Sequence, residues 1–322
     1  MKKLKKNKKT VEPLDGTIVP RFAGPSTFAR LPELKDLESC DVAIVGVPFD
    51  SGTSYRPGAR FGPQSIRQAS RHLRTRYHPS YDAEPFIEQQ VADAGDITCN
   101  PFNINKSIKQ IQKAATNLLQ KVNGIISIGG DHTIALPLLR SVNEKNKGPV
   151  SLIHFDAHLD TWDTYFGAPY THGTPFRRAR EEKLFLEDAS MHVGIRGPLY
   201  SREDLVNDAE FGFKIVHCDE FQNTSIDKII NRIRKRIGKN PFYLSIDIDV
   251  LDPSHAPGTG TPEIAGMTTR EIVNVIRGLS GLQLISADVV EVSPAYDQAE
   301  ITSLAAATIV YELINLFAKN PN

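Results

Sequence analysis

The chain has 322 residues, enough for one large α/β domain or two smaller ones with a substantial core. Lysine plus arginine and aspartate plus glutamate both number 38, so the formal net charge is zero and no global field recruits nucleic acid or an anionic membrane. Three widely spaced cysteines (Cys40, Cys99, Cys218), with no CxxC pair, argue against a thiolate zinc site or a disulfide scaffold and suit a reducing, cytoplasmic compartment.

The segment Met1 to Lys9 carries six lysines with no apolar run behind them. It reads as a flexible basic tail, taken to residue 20, ahead of a single catalytic domain over 21–322. No stretch approaches the ~18 apolar residues of a membrane-crossing helix. In chain order, Asp41 to Pro48 (DVAIVGVP) reads as a buried strand, followed by a Gly/Pro-rich loop and an amphipathic helix from Pro63 to about Leu73. Ile108 to Leu119 reads as a helix, Gly124 to Ile128 as a strand, and Thr133 to Ser141 as another helix. Val150 to Phe155, His192 to Ile195 and Phe213 to His217 read as strands, and Ser225 to Ile237 as a helix. Strand Phe242 to Ile248, helix Thr268 to Leu279, strand Leu282 to Val292 and an apolar final helix, Thr302 to Lys319, complete the chain. Continuous Val/Ile/Leu strands separated by helices predict one α/β domain, a three-layer αβα with a central parallel sheet. Ligands of such sheets collect at the carboxyl ends of strands.

Two strand ends carry unusual chemistry. The first reads His154-Phe155-Asp156-Ala157-His158-Leu159-Asp160, shortly after Gly129-Gly130-Asp131-His132. The second reads Asp247-Ile248-Asp249 and runs into Asp252-Pro253, itself read as a turn. Continued as a strand, Asp156, His158 and Asp160 would point to one face. Fully extended, that span is ~13 Å at ~3.3 Å per residue, too long for one ion to be ligated by both ends. Either the chain curls over the site or the site holds two ions. Carboxylates and imidazoles behind a buried strand are costly unless coordinated, so the pattern points to a dinuclear metal site. Oxygen and imidazole donors favour Mn²⁺, with Co²⁺, Ni²⁺ or Zn²⁺ as alternatives. Four aspartates and a bridging hydroxide against two divalent ions leave a net negative centre, which suits a cationic substrate.

At these residues the chain resembles the ureohydrolase superfamily of arginases, agmatinases, guanidinobutyrases and formiminoglutamases. The resemblance is carried by GGDHT (Gly129 to Thr133), HFDAHLD (His154 to Asp160), SIDIDVLDPSHAPGTGTPEIAG (Ser245 to Gly266) and VEVSPAYD (Val290 to Asp297). It extends to GVPFDSGTSYRPGARFGPQSIR (Gly46 to Arg67), and the APGTGTPE and VEVSPAYD stretches are most similar to the agmatinase branch. The resemblance implies an arginase/deacetylase-like fold and two Mn²⁺ per subunit. His132, Asp156, Asp160 and Asp247 would bind one ion, and Asp156, His158, Asp247 and Asp249 the other, with Asp156 and Asp247 bridging. It implies His172 as proton shuttle and Glu291 as the carboxylate that grips a guanidinium. His154 and Asp131 match as orienting groups, Asp131 being grouped with the catalytic pair. A homo-oligomer of three or six copies is also implied.

The reaction so implied is hydrolysis of a small guanidino compound to urea and a primary amine, with agmatine the first choice. Guanidinobutyrate and guanidinopropionate are the alternatives, ahead of arginine and free guanidine. The loop Thr161 to Thr174 is expected to wall the pocket, with Trp162 and Tyr165 narrowing it or stacking on the substrate. Arg177 and Arg178 read as surface or interface residues; facing the pocket, either would favour a carboxylate. A metal-dependent phosphoesterase is the reading from another class, but neither metal segment contains the Lys or Arg that would hold phosphate. A related deacetylase would not need the full second-metal set.

Overall fold

The apolar runs become one all-parallel sheet in a computed structural model that describes residues 10–321. Among the described residues the sheet has eight strands: β1 (Val42–Val47), β2 (Val91–Asp96), β3 (Gly124–Gly129), β4 (Ser151–Phe155), β5 (Met191–Ile195), β6 (Lys214–His217), β7 (Phe242–Asp247) and β8 (Leu284–Val290). Their spatial order is β2-β1-β3-β8-β7-β4-β5-β6, with every neighbouring pair parallel. Helices cover both faces, giving the expected three-layer αβα. Ile44, Ile126 and Leu244 face the helices Gly62–Ser70, Ile226–Ile237, Thr269–Gly278 and Ile301–Ala318. Their neighbours Val45, Ile125 and Tyr243 face Ile104–Leu119, Ala135–Asn146 and Pro175–Glu181. This alternation, apolar on both sides, is why the strands read as unbroken Val/Ile runs.

Several features differ from the sequence reading, among them the helices Pro175–Glu181 and Glu203–Glu210, which it did not place. Strand β2 escaped it because VADAGD carries two acids; it is an edge strand, and Asp93 receives Arg67 Nε at 2.8 Å and Nη2 at 3.0 Å. The final helix, Ile301–Ala318, is long and apolar enough to cross a bilayer, with a mean hydropathy of 1.6, contrary to expectation. Of its residues 78% are buried within the fold, and it packs against the helices Gly62–Ser70 and Thr269–Gly278, so its apolarity is that of a core helix. Of the basic tail, residues 1–9 lie outside the described residues. Its remainder rests on the body: Val11 N donates to Gln90 Oε1, and the Arg30 guanidinium donates to the carbonyls of Leu14, Val19 and Pro20.

The turn after β3 shows how tightly the sheet's carboxyl edge is built. Gly130 has φ 45°, and a Cβ there would lie 2.5 Å from Val47 O and 2.6 Å from Phe49 O. Its own carbonyl accepts from Glu291 N at 2.9 Å, tying the end of β3 to the end of β8. Gly130→Ala therefore forces backbone apart. It is expected to lower the unfolding free energy in urea by at least ~2 kcal/mol; a loss below ~0.5 kcal/mol would show that the turn relaxes freely.

Candidate metal centre

Strands β3, β4, β7 and β8 are neighbours in the sheet, and each delivers polar side chains where its ladder ends. The chain leaves β4 at Phe155 and does not continue extended. The Asp156 carboxylate accepts from the His158 amide at 2.7 Å, and Asp160 adopts φ 53°. Asp156, His158 and Asp160 therefore do not alternate along a strand. They lie on a curled loop, and the ~13 Å separation of the extended reading disappears. Asp247 closes β7 and caps the short turn Ile248–Val250, its Oδ1 accepting from Asp249 N at 2.8 Å.

These ends converge on two imidazoles. His132 Nδ1 lies 2.9 Å from Asp160 Oδ2, 3.2 Å from Asp156 Oδ2 and 3.3 Å from Asp247 Oδ2. On its other side, Nε2 lies 2.9 Å from Ser245 Oγ, whose own hydrogen goes to Asp288 Oδ1 at 2.6 Å. The serine must accept, so His132 Nε2 is the donor and Nδ1 presents a lone pair. That lone pair is buried, has no hydrogen-bond partner, and faces three carboxylate oxygens. A cation is what such a set fits. His158 Nδ1 repeats the arrangement, 3.3 Å from Asp156 Oδ1 and 3.2 Å from Asp249 Oδ2. Asp156 turns one oxygen to each histidine, so among the described residues it is the carboxylate shared by both groups.

Electrostatics make the same demand. Burial and the neighbouring acids Asp249 and Asp156 push Asp247 well above the usual carboxylate range, and burial with Asp156 pushes Asp249 up to about 6. Burial opposes charge on His132 and His158, yet the surrounding carboxylates hold both well above the usual imidazole value. The cluster is short of positive charge.

Around it stand the expected auxiliary groups. Glu291, directly after β8, has φ 64° and is buried. Its Oε1 accepts from His132 N at 2.9 Å and lies 3.2 Å from His172 Nδ1, while Oε2 has no partner. His172 also meets Ser54 Oγ through Nε2 at 2.7 Å. Burial works against its charge, but Glu291 raises it to about 9. His154 Nε2 donates to Asp156 Oδ2 at 2.8 Å. Asp131 uses both oxygens on backbone amides, Gly52 at 2.7 Å and Thr133 at 3.0 Å, and so staples two loops beneath the site.

Residues 40–315 match the family model described as "Arginase family". The chain belongs to the arginase family. It is 46% identical to "Putative agmatinase 1" of Schizosaccharomyces pombe, over 93% of this chain and 84% of that one. It is 43% identical to guanidinopropionase of Pseudomonas aeruginosa, over 96% of each. Among solved structures, proclavaminate amidinohydrolase of Streptomyces clavuligerus superposes with a TM-score of 0.89 at 40% identity, covering 94% of this chain and 99% of that one.

In this arginase-family chain, a cavity above the cluster is lined by Ser54, His158, Asp160, Trp162, Tyr165 and His172, among others. Trp162 packs edge-on to Tyr165 and Tyr200, and the two tyrosine hydroxyls touch. Arg177 and Arg178 turn away: Arg177 pairs with Glu181 over the Phe211 ring, and Arg178 pairs with Asp163 and Glu181. Several supporting residues were not singled out from sequence. Ser245 and Asp288 set the His132 tautomer, Ser54 meets His172, and Glu263 lies 3.5 Å behind His158 Nε2. Ser54, Ser245 and Glu263 sit inside the motifs quoted above; Asp288 was visible as a lone acid in the apolar run LISADVV.

The raised imidazoles give a signed expectation. The carboxylates around His132 and His158 favour a proton on the Nδ1 lone pair of each ring, and a divalent ion competes with that proton for the same lone pair. Adding Mn²⁺ to metal-free protein at pH 7 is expected to release protons into an indicator dye and to raise the melting temperature, by ~2.7 kcal/mol of stabilisation at one hundred times Kd. Affinity falls as the pH is lowered to 5. Binding that is independent of pH would contradict this assignment.

Proposed function

We propose that this chain hydrolyses a small guanidino compound to urea and a primary amine, with agmatine as substrate, giving putrescine. It is a hydrolase of the arginase family, whose relatives here are named for guanidino compounds. The observation that carries the guanidinium reading is Glu291 Oε2, a buried carboxylate oxygen without a partner beside the cluster. A carboxylate so placed accepts an N–H of a guanidinium and fixes its plane. Its other oxygen is already held by His132 N, so the group is oriented before substrate arrives.

Two Mn²⁺ are the proposed cofactors, with Ni²⁺ or Co²⁺ as alternatives. His132, Asp156, Asp160 and Asp247 would hold one, and Asp156, His158, Asp247 and Asp249 the other. Such a pair, when bound, lowers the pKa of water and supplies the nucleophile that a resonance-stabilised guanidinium requires. His172 holds a proton on Nδ1 toward Glu291 and is placed to deliver it to the leaving amine. Trp162 and Tyr165 wall the cavity and keep bulk water from the reacting carbon.

The choice of agmatine rests on charge. No lysine or arginine is among the lining residues, and Arg177 and Arg178 are paired elsewhere, so the far end of a guanidino acid would find no ammonium or guanidinium group to pair with. A phosphoester would lack one too. With this reading go a homo-oligomer of three or six copies, a cytoplasmic location, and one catalytic domain over 21–322 behind a basic tail.

A urea-release assay over agmatine, guanidinobutyrate, guanidinopropionate, arginine and guanidine, run with Mn²⁺, Ni²⁺ and Co²⁺, is expected to give the highest kcat/KM with agmatine. A higher value for a guanidino acid overturns the substrate, and no urea from any of them overturns the reaction. His158→Ala and Asp249→Ala are each expected to reduce turnover by at least ~10³-fold in metal-replete protein.

His172 provides a second test. Its imidazolium is the form that donates, and it is lost as the pH rises through about 9. The kcat/KM profile should therefore fall on that side, and His172→Asn should reduce kcat by ~10²–10⁴-fold and abolish the alkaline limb. A limb unchanged in the variant would assign it to another group.

A further inference from the structure

The chain of contacts behind Asp156 does not stop at His154. His154 Nδ1 lies 2.7 Å from His192 Nδ1, and His192 Nε2 lies 3.1 Å from Asp208 Oδ1. All three residues are fully buried, and the His192 ring stacks on Phe213 with 3.9 Å between centroids. Asp208 belongs to the helix Glu203–Glu210, in which it is the buried residue. Surface helices ordinarily dock through apolar side chains. Here the docked group is a carboxylate whose second oxygen, Oδ2, is buried without a partner. Oδ1 also accepts from Thr161 Oγ1 at 3.1 Å, and Thr161 directly follows Asp160.

Hydrogen counting gives this line of groups a direction. Asp156 faces the cluster as a carboxylate, so His154 Nε2 donates to it. The contacts Asp156–His154, His154–His192 and His192–Asp208 need one hydrogen each. Two neutral imidazoles bring only two. The third lies between His192 Nε2 and Asp208, where the far carboxyl group accommodates it. Without that group nothing selects the His192 tautomer. A hydrogen moved to Nε2 would set two Nδ1 lone pairs against each other, and His154 would answer by giving up its bond to Asp156.

We propose that Asp208 is a positioning residue for the metal centre: through His192 and His154 it aims Asp156, and through Thr161 it anchors the loop that ends in Asp160. The inference rests on the metal reading above and goes beyond it, because Asp208 touches neither metal ligands nor substrate.

Mn²⁺ affinity of the full-length, metal-free protein, measured by competition with a chelator, reads this role without turnover. Asp208→Leu removes the acceptor and is expected to weaken Mn²⁺ binding about 10–100-fold, the usual effect of losing a partner behind a ligand. Asp208→Asn keeps affinity within about threefold, since its amide donates to His192 Nε2 and the three bonds remain. His192→Phe preserves the stacking on Phe213, breaks the same link, and is expected to match D208L; it stands in if D208L does not fold. Near-UV circular dichroism reports folding independently. Wild-type affinity in folded D208L or H192F, or equal losses in D208N and D208L, overturns the proposal. A wild-type protein that binds no Mn²⁺ overturns the metal reading instead.

Discussion

The lone pair on His132 Nδ1, turned toward three carboxylate oxygens within 3.3 Å, is the constraint on which the rest of the structure depends. Like charges and lone pairs are not brought together in a dry interior without a compensating cation. Everything about the carboxyl edge of the sheet enforces this arrangement. Ser245 and Asp288 prevent the ring from flipping its hydrogen, and the curl after β4 returns Asp160 to the side of Asp156. The same logic, with His158 and Asp249, produces a second group that shares Asp156.

The sheet order is what makes such crowding achievable. Strands β8 and β7 lie between β3 and β4, so segments far apart in sequence end side by side. Parallel pairing places all their carboxyl ends at one edge, where backbone no longer follows the ladder and can take unusual conformations. Gly130, Asp160 and Glu291 all have positive φ there. For Asp160 and Glu291 this costs ~1–3 kcal/mol each and persists because flanking hydrogen bonds leave no alternative. Asp160 lines the cavity, and Glu291 contacts the backbone of His132 beside it.

Each metal-facing side chain is itself held from behind. His132 has Ser245 and Asp288, His158 has Glu263, and Asp156 has a line of buried groups ending at Asp208. Ser245, Asp288 and Asp208 come from elements other than those that carry the side chains they support, whereas His154 lies on the strand that leads into Asp156. They convert a fold that merely gathers acids into one that aims them.

Much of this was legible in the sequence, and the remainder was not for definable reasons. The unbroken apolar runs determined a parallel, doubly covered sheet, because a strand buried on both faces has no polar positions to spare. The edge strand β2 stayed hidden because its exposed end admits Asp96 and its buried Asp93 is paired with Arg67 from a distant helix. The clustering of Asp and His after two buried runs determined a metal site, since such charges need coordination wherever they are placed. Only the tertiary structure decided how they meet. The convergence of Asp160 and Asp247 on His132, the tautomer of His132 and the docking of Asp208 all depend on contacts between segments distant in sequence. Spacing along a chain reports which groups are present, whereas distance and hydrogen-bond direction exist only once the sheet has brought their strands together.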